Sequence, residues 1–293
     1  MKLRLLDLGR LEYDEGFPLA GGGVSTASEP SPPVARRTVA MIASLIEHPK
    51  VGPVLFDTGA PPAYKELWPP IVQELFAITR YEPEHHLDAA LEAAGYGLDD
   101  IKAIVLSHLH LDHAGGLEYF RGRDIPIYVQ GDELRNAFYS VATGEDLGAY
   151  IPHYLDFSFN WQPLDGDEIE LFDGFQLYRL PGHTPSLQGL RLDLANSGTF
   201  FLTSDQFHLR DNYEGPQPLG WLLRDYAAWW RSCRKVKLLA ERTNARLVFG
   251  HDADVLAELG REDFYDSAAD TLSQPGGPRV GRAPGGKSSL SGD

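Results

Sequence analysis

The chain alternates between short apolar runs and segments whose apolar residues recur at helical spacing. Short apolar runs bounded by turn residues are typical of buried β-strands. In this chain such runs predict strands at residues 3–8, 39–46, 54–57, 103–106, 127–129, 169–171, 175–180, 187–192, 199–202 and 247–249.

Helical spacing is clearest where Leu87, Leu91 and Ala94 share one face of a helix that is predicted to end at Gly95. Further helices are predicted from about residue 132 and over residues 221–242. Strands that alternate with helices in this way predict an α/β protein, in which two β-sheets pack together and helices lie outside them.

Two segments depart from this alternation. Residues 142–164 are rich in aromatic side chains and show no clear period, which is typical of a functional loop or a cap. Residues 267–293 are rich in Gly, Pro and Ser, and this composition predicts a disordered tail because it offers too little apolar surface to offset the entropy of ordering. We therefore expect a single folded domain over residues 1–266.

Charge and cysteine content narrow the class of partner and the location. The formal net charge is −16 and no run of Lys and Arg forms a basic stripe, so we do not expect a nucleic-acid partner. The single cysteine, Cys233, excludes an internal disulfide and lies in the predicted long helix, where we expect it to be buried. No secretory signal pattern and no stretch of about 18 apolar residues is present, so we expect a cytoplasmic protein with no membrane partner.

Four potential metal ligands occupy six consecutive positions directly after the predicted strand at residues 103–106. They are His108, His110, Asp112 and His113. Because side chains at alternate positions of a tight loop can point to one side, the first two can bind one ion while the last two face another. Such density favours a metal site over ordinary loop polarity.

Three further candidate ligands follow later predicted strands: His183, Asp205 and His251. Each taken alone would serve as an ordinary polar loop residue as readily as a ligand, but strand ends on one edge of a sheet sandwich can converge. Five imidazoles and two carboxylates suit two divalent transition-metal ions, most simply Zn²⁺, with Fe, Co and Mn as alternatives to it.

The combination of these motifs resembles the metallo-β-lactamase superfamily over roughly residues 38–255. The resemblance rests on the His-x-His-x-Asp-His cluster, the two later Gly-His pairs, the Asp at a strand end and the earlier Phe-Asp-Thr-Gly at residues 56–59. It implies an αβ/βα sandwich of two mixed β-sheets flanked by helices, which is the metallo-β-lactamase fold.

The same resemblance implies how the ligands are divided between two ions. One ion would be held by His108, His110 and His183, the other by Asp112, His113 and His251, with Asp205 bridging the two. A hydroxide held between two such ions attacks a polarised carbonyl. Asp112 is expected to act in catalysis as well as in metal binding.

Two departures from sister families narrow the reaction. A glutamate in place of His110 would suggest a redox diiron protein, and a cysteine in place of Asp205 would suggest the common class of zinc β-lactamases. This chain has neither, so hydrolysis at two bridged metals is favoured.

Within the superfamily the chain is most similar to the N-acyl homoserine lactone lactonases, through SHLHLDHAGGL at residues 107–117, GHTP at 182–185 and TSD at 203–205. This resemblance implies hydrolytic opening of a lactone ring, with quorum quenching as the biological role.

Those lactonases often carry a tyrosine three residues after the bridging aspartate, where this chain has His208. We expect the imidazole N–H of His208 to contact the substrate as a catalytic donor rather than to bind a metal. The alternative is an exposed loop histidine.

Aromatic side chains before residue 165 provide candidate walls for an apolar acyl pocket, although each could instead belong to the core. The substrate-binding residues that we predict are Phe138, Tyr150, Tyr154 and Phe157, together with His208. Further candidates are Tyr139, Phe159 and Trp161. Four histidines lie outside any motif and are interpreted as surface or structural residues: His48, His85, His86 and His153.

Other functions on the same fold stay open. Another lactonase, a carboxylesterase or a glyoxalase II-like thioesterase would use much the same metals, but the last of these adds a helical C-terminal domain that the region after His251 does not provide. A non-catalytic regulator would be expected to lose a ligand, and all seven are present. A phosphoesterase or RNase is disfavoured by the acidic charge. The expected partner is a small-molecule lactone or ester, and a homodimer is left open.

Overall fold

Two facing β-sheets form the centre of the protein in this computed structural model, which describes residues 1–146, 148–215, 217–261 and 263–266. Within these residues the first sheet has seven strands in the order β4-β1-β2-β3-β5-β6-β7. Its strands are β1 (Lys2–Asp14), β2 (Arg36–His48), β3 (Gly52–Phe56), β4 (Ala77–Arg80), β5 (Ala103–Val105), β6 (Ile127–Gln130) and β7 (Trp161–Leu164).

The second sheet has five strands among the described residues, in the order β12-β11-β10-β9-β8. Its strands are β8 (Glu168–Phe172), β9 (Phe175–Arg179), β10 (Gln188–Leu194), β11 (Gly198–Ser204) and β12 (Arg246–Phe249).

Both sheets are mixed. In the first, β1, β2, β3 and β4 pair antiparallel, whereas β3, β5, β6 and β7 run parallel to one another. In the second, only β11 and β12 pair parallel. Because β9 and β11 are both antiparallel to β10, the carboxyl ends of β9, β11 and β12 lie at the same edge of this sheet.

The described part of the chain also contains seven α-helices. They are α1 (Tyr64–Leu67), α2 (Pro70–Leu75), α3 (Leu87–Ala93), α4 (Gly131–Thr143), α5 (Arg210–Glu214), α6 (Tyr226–Thr243) and α7 (Ala253–Leu259).

Three apolar clusters hold the layers together. The central cluster joins the two sheets, with Val54 and Val105 from the first and Leu190 and Leu202 from the second. A second cluster packs the outer face of the first sheet against α3 and α4, and a third packs the outer face of the second sheet against α6. The central strands of each sheet are therefore buried on both faces, as their continuously apolar sequences require. The predicted αβ/βα sandwich of two mixed sheets is confirmed.

The predicted start of the long helix at residue 221 is wrong. The helix α6 begins at Tyr226 because Asp225 caps it by accepting a hydrogen bond from Ala228 N at 2.8 Å. Upstream, the backbone N–H groups of Arg224 and Asp225 both donate to Gly182 O at 2.9 Å, so this segment crosses to another loop instead of continuing the helix. Cys233 is buried in α6, as expected.

The sequence pattern missed the edge strands β4 and β7. Both have four residues, and neither has a buried residue, so neither shows the apolar alternation that identifies a strand. Residues 142–164, which we interpreted as one loop or cap, include the end of α4, a 3₁₀ turn at Pro152–Tyr154 and β7. The predicted disordered tail at residues 267–293 lies outside the described residues. Among the described residues, no helix has both the length and the apolar character needed to cross a bilayer.

Candidate metal centre

The seven predicted ligands converge at the edge of the sandwich where strands from both sheets end. The loop at residues 108–113 follows β5, and the other three ligands follow β9, β11 and β12. All seven side chains are buried, with relative exposures between 0 and 9%. Burying polar and ionisable side chains is costly unless they have partners. The convergence of these seven side chains therefore defines the candidate site.

The first cluster consists of Asp112, His113, His251 and one carboxylate oxygen of Asp205. His113 Nε2 lies 3.4 Å from His251 Nε2, and each of these nitrogens lies 3.2–3.3 Å from Asp205 Oδ1. The Asp112 oxygens lie 3.6–3.8 Å from the same nitrogens. Ligand atoms bound tetrahedrally at about 2.0–2.1 Å from a zinc ion are about 3.3 Å apart, so this cluster has the spacing of one metal site.

The second cluster consists of His108, His110, His183 and the other oxygen of Asp205. His183 Nε2 lies 2.9 Å from His110 Nδ1 and 3.3 Å from Asp205 Oδ2, and His108 Nε2 lies 3.7 Å from that oxygen. His108 Nε2 and Asp205 Oδ1 are buried without a hydrogen-bond partner. Two divalent ions that share Asp205 would satisfy these atoms, so the residues fit the division between two ions that the resemblance implies.

In four of the five clustered histidines, the ring nitrogen that faces away from the cluster has a polar neighbour that holds it in place. His183 Nδ1 lies 3.0 Å from Leu222 O, and His251 Nδ1 lies 2.8 Å from Ala40 O. His113 Nδ1 lies 3.0 Å from Asp57 Oδ2, and His108 Nδ1 lies 3.0 Å from Ser107 Oγ. Such outer contacts orient metal-binding histidines and select the tautomer whose inner nitrogen is free.

Burial and neighbouring charges set the protonation of the site. Burial lowers the pKa of His108 and of His183 well below the usual histidine value. Burial acts in the same direction on His113, but the Asp205 and Asp112 carboxylates raise its pKa well above that value. Burial opposes ionisation of Asp205, yet nearby histidines hold its pKa well below the usual range. The charged Asp205 suits a bridging ligand, and binding of an ion at His113 would be coupled to proton release.

Gly182 allows the loop that carries His183 to lie against α6. Its φ is +147°, and a Cβ added there would lie 2.6 Å from the backbone of Trp229. Any larger residue would push the loop away from the helix and displace His183 from the second cluster.

Glu133 supports the ligand loop from α4, a role that no sequence motif indicated. Its buried Oε1 accepts hydrogen bonds from Leu109 N at 3.2 Å and from Tyr150 OH at 2.9 Å. Leu109 lies between two ligands of the second cluster, so this carboxyl fixes the backbone that presents them. The signal available in the sequence was only an acidic residue in the first turn of a helix.

Replacing Glu133 by alanine is expected to lower the free energy of unfolding by about 1–3 kcal/mol for each buried donor left unpaired. Glu133→Gln retains an acceptor oxygen and is the matched control, so its loss should be smaller. Chemical denaturation of the metal-loaded proteins measures both values. Equal stability of wild type and Glu133→Ala would contradict the role assigned to this carboxyl.

A cavity opens onto both clusters and gives them access to a substrate. Six of its lining residues belong to or touch the clusters: His110, Asp112, His183, Asp205, His208 and His251. The rest of the wall is largely apolar and is formed by Tyr13, Phe76, Leu111, Ala149, Trp221 and Leu222. The lining also includes Arg224, whose guanidinium forms an ion pair with Asp146. The cavity thus suits a neutral substrate with an apolar part.

The predicted substrate-binding aromatics are not part of this lining. Tyr154 is fully buried and its hydroxyl accepts a hydrogen bond from Trp68 Nε1 at 2.7 Å. Phe157 is 89% exposed and stacks on Phe138. Tyr150 contacts the ring of His110 but turns its hydroxyl to Glu133. The four residues that we predicted as the acyl pocket therefore lie outside the lining of this cavity. Much of its apolar wall comes instead from Tyr13 at the end of β1, Phe76 after α2, and Trp221 and Leu222 before α6.

The remaining aromatic and histidine candidates also lie outside the cavity lining. Phe159 belongs to the core cluster that packs on the first sheet, Trp161 packs against it, and Tyr139 is exposed. His48 and His85 are buried, and His48 Nε2 lies 3.0 Å from Asp173 O. The interpretation of His48, His85, His86 and His153 as surface or structural residues agrees with these positions.

His208 lies within the site, as predicted, but its surroundings were not foreseen. The side chain is 2% exposed, so the alternative of an exposed loop histidine is excluded. Its Nδ1 lies 2.9 Å from the hydroxyl of Tyr13, and its Nε2 lies 3.0 Å from Asp205 Oδ2. Tyr13 comes from the end of β1, and no motif in the sequence indicated its presence in the site.

Comparison with known proteins agrees with this geometry. Residues 43–251 match the family model described as the Metallo-beta-lactamase superfamily. The chain is 32% identical over 277 residues to the N-acyl homoserine lactonase AiiB of Agrobacterium fabrum (strain C58 / ATCC 33970), covering 90% of this chain and 99% of that protein. It is 30% identical over 206 residues to the N-acyl homoserine lactonase AiiA of Bacillus thuringiensis subsp. kurstaki, covering 69% and 78% respectively.

A solved structure with the same arrangement of elements contains a reaction product. It is an N-acyl homoserine lactone hydrolase with the product N-hexanoyl-L-homoserine bound at the catalytic metal centre, and it superposes with a TM-score of 0.74 at 26% identity. The match covers 88% of this chain and 95% of that one.

Proposed function

We propose that this chain, which belongs to the metallo-beta-lactamase superfamily, is a metal-dependent hydrolase that opens the lactone ring of N-acyl homoserine lactones and so quenches quorum-sensing signals. The observation that carries the proposal is the similarity to a named N-acyl homoserine lactonase over 90% of this chain and 99% of that protein. The chemistry of the ligand clusters and the apolar wall of the cavity also support the proposal.

The cofactor that we propose is a pair of zinc ions held as the two clusters indicate. When bound, two such ions activate water as a nucleophile near neutral pH and polarise the ester carbonyl. Five imidazoles with two carboxylates suit zinc better than magnesium or calcium, which prefer ligand sets made of oxygen atoms.

The protein residues that surround the substrate have separable tasks. Asp112 lines the cavity, and we propose that its carboxylate accepts the proton released by the attacking water and returns it to the alkoxide of the opened ring. Phe76, Trp221 and Leu222 offer apolar surface on which the acyl chain can lie. Arg224 of the wall is already paired with Asp146, so we do not assign this guanidinium to binding an anionic group of the substrate.

A substrate panel tests the proposal. Zinc-loaded protein should release protons on addition of N-acyl homoserine lactones, in proportion to enzyme concentration, and mass spectrometry should show a product heavier than the substrate by one water. The panel should include simple lactones, aryl esters, S-lactoylglutathione and a β-lactam. The expected order places the N-acyl homoserine lactones first in kcat/KM.

Asp205→Ala protein, prepared in parallel, controls for contaminating hydrolases. A simple lactone or an aryl ester as the best substrate would reassign the chain to another lactonase or to a carboxylesterase. A higher kcat/KM for S-lactoylglutathione would reassign it to a thioesterase of the glyoxalase II type.

A further inference from the structure

His208 differs from four of the five histidines in the ligand clusters in the group that contacts its outer nitrogen. The outer nitrogens of His183 and His251 face backbone carbonyl oxygens, which can only accept a hydrogen bond. That of His113 faces the Asp57 carboxylate, which is also an acceptor. In each case the proton must lie on Nδ1, so Nε2 keeps a free lone pair for a metal.

His108 follows the same rule even though its neighbour is a hydroxyl. Ser107 Oγ lies 3.0 Å from His108 Nδ1, but the hydroxyl proton is already committed because Ser107 donates it to Asp57 Oδ2 at 2.7 Å. The oxygen of Ser107 is therefore left to accept the hydrogen bond from His108 Nδ1, and His108 Nε2 is free to bind an ion.

The outer nitrogen of His208 faces a hydroxyl whose proton is available. Tyr13 OH lies 2.9 Å from His208 Nδ1, and within the described residues no other hydrogen-bond partner of this hydroxyl is recorded. Tyr13 is 1% exposed, so a hydroxyl proton left unpaired there would be costly. The hydroxyl is satisfied when it donates to Nδ1, and the proton of the neutral imidazole then lies on Nε2.

The Nε2 of His208 is directed toward the ligand clusters, where Asp205 is its recorded neighbour. It is buried and has no hydrogen bond of acceptable geometry, although it lies 3.0 Å from Asp205 Oδ2. Both His208 and Tyr13 line the cavity that opens onto the clusters. A protonated Nε2 has no lone pair for a metal, but it can donate to an oxygen of a bound substrate.

We propose that Tyr13 is a positioning residue: its hydroxyl holds His208 in the tautomer with the proton on Nε2, and this N–H donates a hydrogen bond to the carbonyl or leaving oxygen of the ester substrate. The second half of this inference rests on the proposed function. The first half concerns the tautomer alone and can be tested without a substrate.

Tyr13→Phe tests the positioning role because it removes only the hydroxyl and keeps the aromatic ring. Without the hydroxyl, the His208 proton is free to move to Nδ1, so kcat on the best lactone should fall about 10-fold while KM changes little. The zinc content should stay at the wild-type value. Tyr154→Phe is the matched control, since it removes an equally buried hydroxyl outside the cavity lining, and its kcat should equal that of wild type.

A double-mutant cycle separates action through His208 from a general packing effect. In a His208→Ala background, adding Tyr13→Phe should cause no further loss of kcat, because the residue that Tyr13 positions is gone. Equal fold-losses in the two backgrounds would show that Tyr13 acts independently of His208 and would overturn the proposal. So would wild-type kinetics of Tyr13→Phe.

Histidine ¹⁵N NMR of the zinc-loaded protein reads the tautomer directly. The expected spectrum has His208 protonated at Nε2 and changed by Tyr13→Phe, with the signal assigned by its loss in His208→Ala. A proton on Nδ1 of His208, or the loss of one zinc ion in His208→Ala, would identify His208 as a metal ligand and overturn the proposal. If no lactone is hydrolysed but the Nε2 tautomer is found, the proposed function fails while the role of Tyr13 in fixing the ring stands.

Discussion

Replacing Asp205 by alanine is expected to reduce the metal content from two ions to less than one per chain and to abolish most of the activity. Asp205 Oδ1 lies 3.2–3.3 Å from the nitrogens of the first cluster, and Oδ2 lies 3.3 Å from His183 Nε2 in the second. Among the residues that the structure describes, no other side chain belongs to both clusters as defined above. Removing it also leaves five buried histidines without the carboxylate that draws cations to them.

The expected loss of activity in Asp205→Ala can be estimated from the effects of less severe substitutions. Loss of an outer partner of a metal ligand already costs about 10- to 100-fold in metal affinity or activity. Loss of the shared ligand should cost more than ~100-fold in kcat/KM at metal concentrations that saturate the wild type. Elemental analysis of protein purified without chelator provides the metal count and should identify zinc in the wild type.

Two variants make this result interpretable. His183→Ala removes a ligand of the second cluster only, so it should retain about one ion per chain. Asp193→Ala changes an exposed aspartate of β10 and should retain both ions. Full activity of Asp205→Ala, or full activity of wild-type protein that contains no transition metal, would contradict the dinuclear site.

The convergence of the seven candidate ligands could be predicted from the sequence because strand ends and ligand chemistry are both local signals. Four candidate ligands within six residues directly follow a buried strand, which places them at a strand end. The later Gly-His pairs follow other strands and mark further candidate ligands. The two sheets could be predicted for the same reason, because apolar runs are also a local signal.

The substrate wall could not be predicted because its residues are brought together by tertiary contacts. Tyr13 comes from β1 and Trp221 from the loop before α6, and nothing near either residue in the sequence signals their approach. The many aromatic residues at 142–164 suggested a pocket. Tyr154 and Phe159 instead belong to the apolar cluster that packs on the outer face of the first sheet. Composition alone cannot separate these two uses of an aromatic side chain.

The hydrogen bonds that hold the ligand loop could not be predicted from the sequence either, although Asp57, which accepts several of them, lies in the Phe-Asp-Thr-Gly motif. Asp57 follows β3, which is adjacent to β5 in the first sheet, and its carboxylate accepts hydrogen bonds from Ser107 N and Ser107 Oγ, each at 2.7 Å. The same carboxylate lies 3.0 Å from His113 Nδ1. Asp57 therefore holds both ends of the loop that carries four of the seven ligands.

Replacing Asp57 by asparagine is expected to weaken metal binding about 10- to 100-fold. The amide oxygen of asparagine can still accept from Ser107 N, but its NH₂ group donates and cannot accept from His113 Nδ1 or Ser107 Oγ. Asp57 has a φ of +62°, a left-handed conformation that asparagine adopts readily, so the substitution changes the carboxylate without straining the backbone. Titration of zinc against a chelator of known affinity measures the effect.

Asp266→Asn is the matched control because Asp266 shares the left-handed backbone, with a φ of +63°, and also accepts hydrogen bonds through its carboxylate. It lies outside the cavity lining and both ligand clusters, so its zinc affinity should equal that of wild type. Because Asp57→Asn keeps all seven ligands, kcat should recover substantially when zinc is supplied in excess, whereas Asp205→Ala should not recover. Unchanged zinc affinity in Asp57→Asn would show that the ligand loop keeps its shape without this carboxylate, and that the orientation of His113 has another cause.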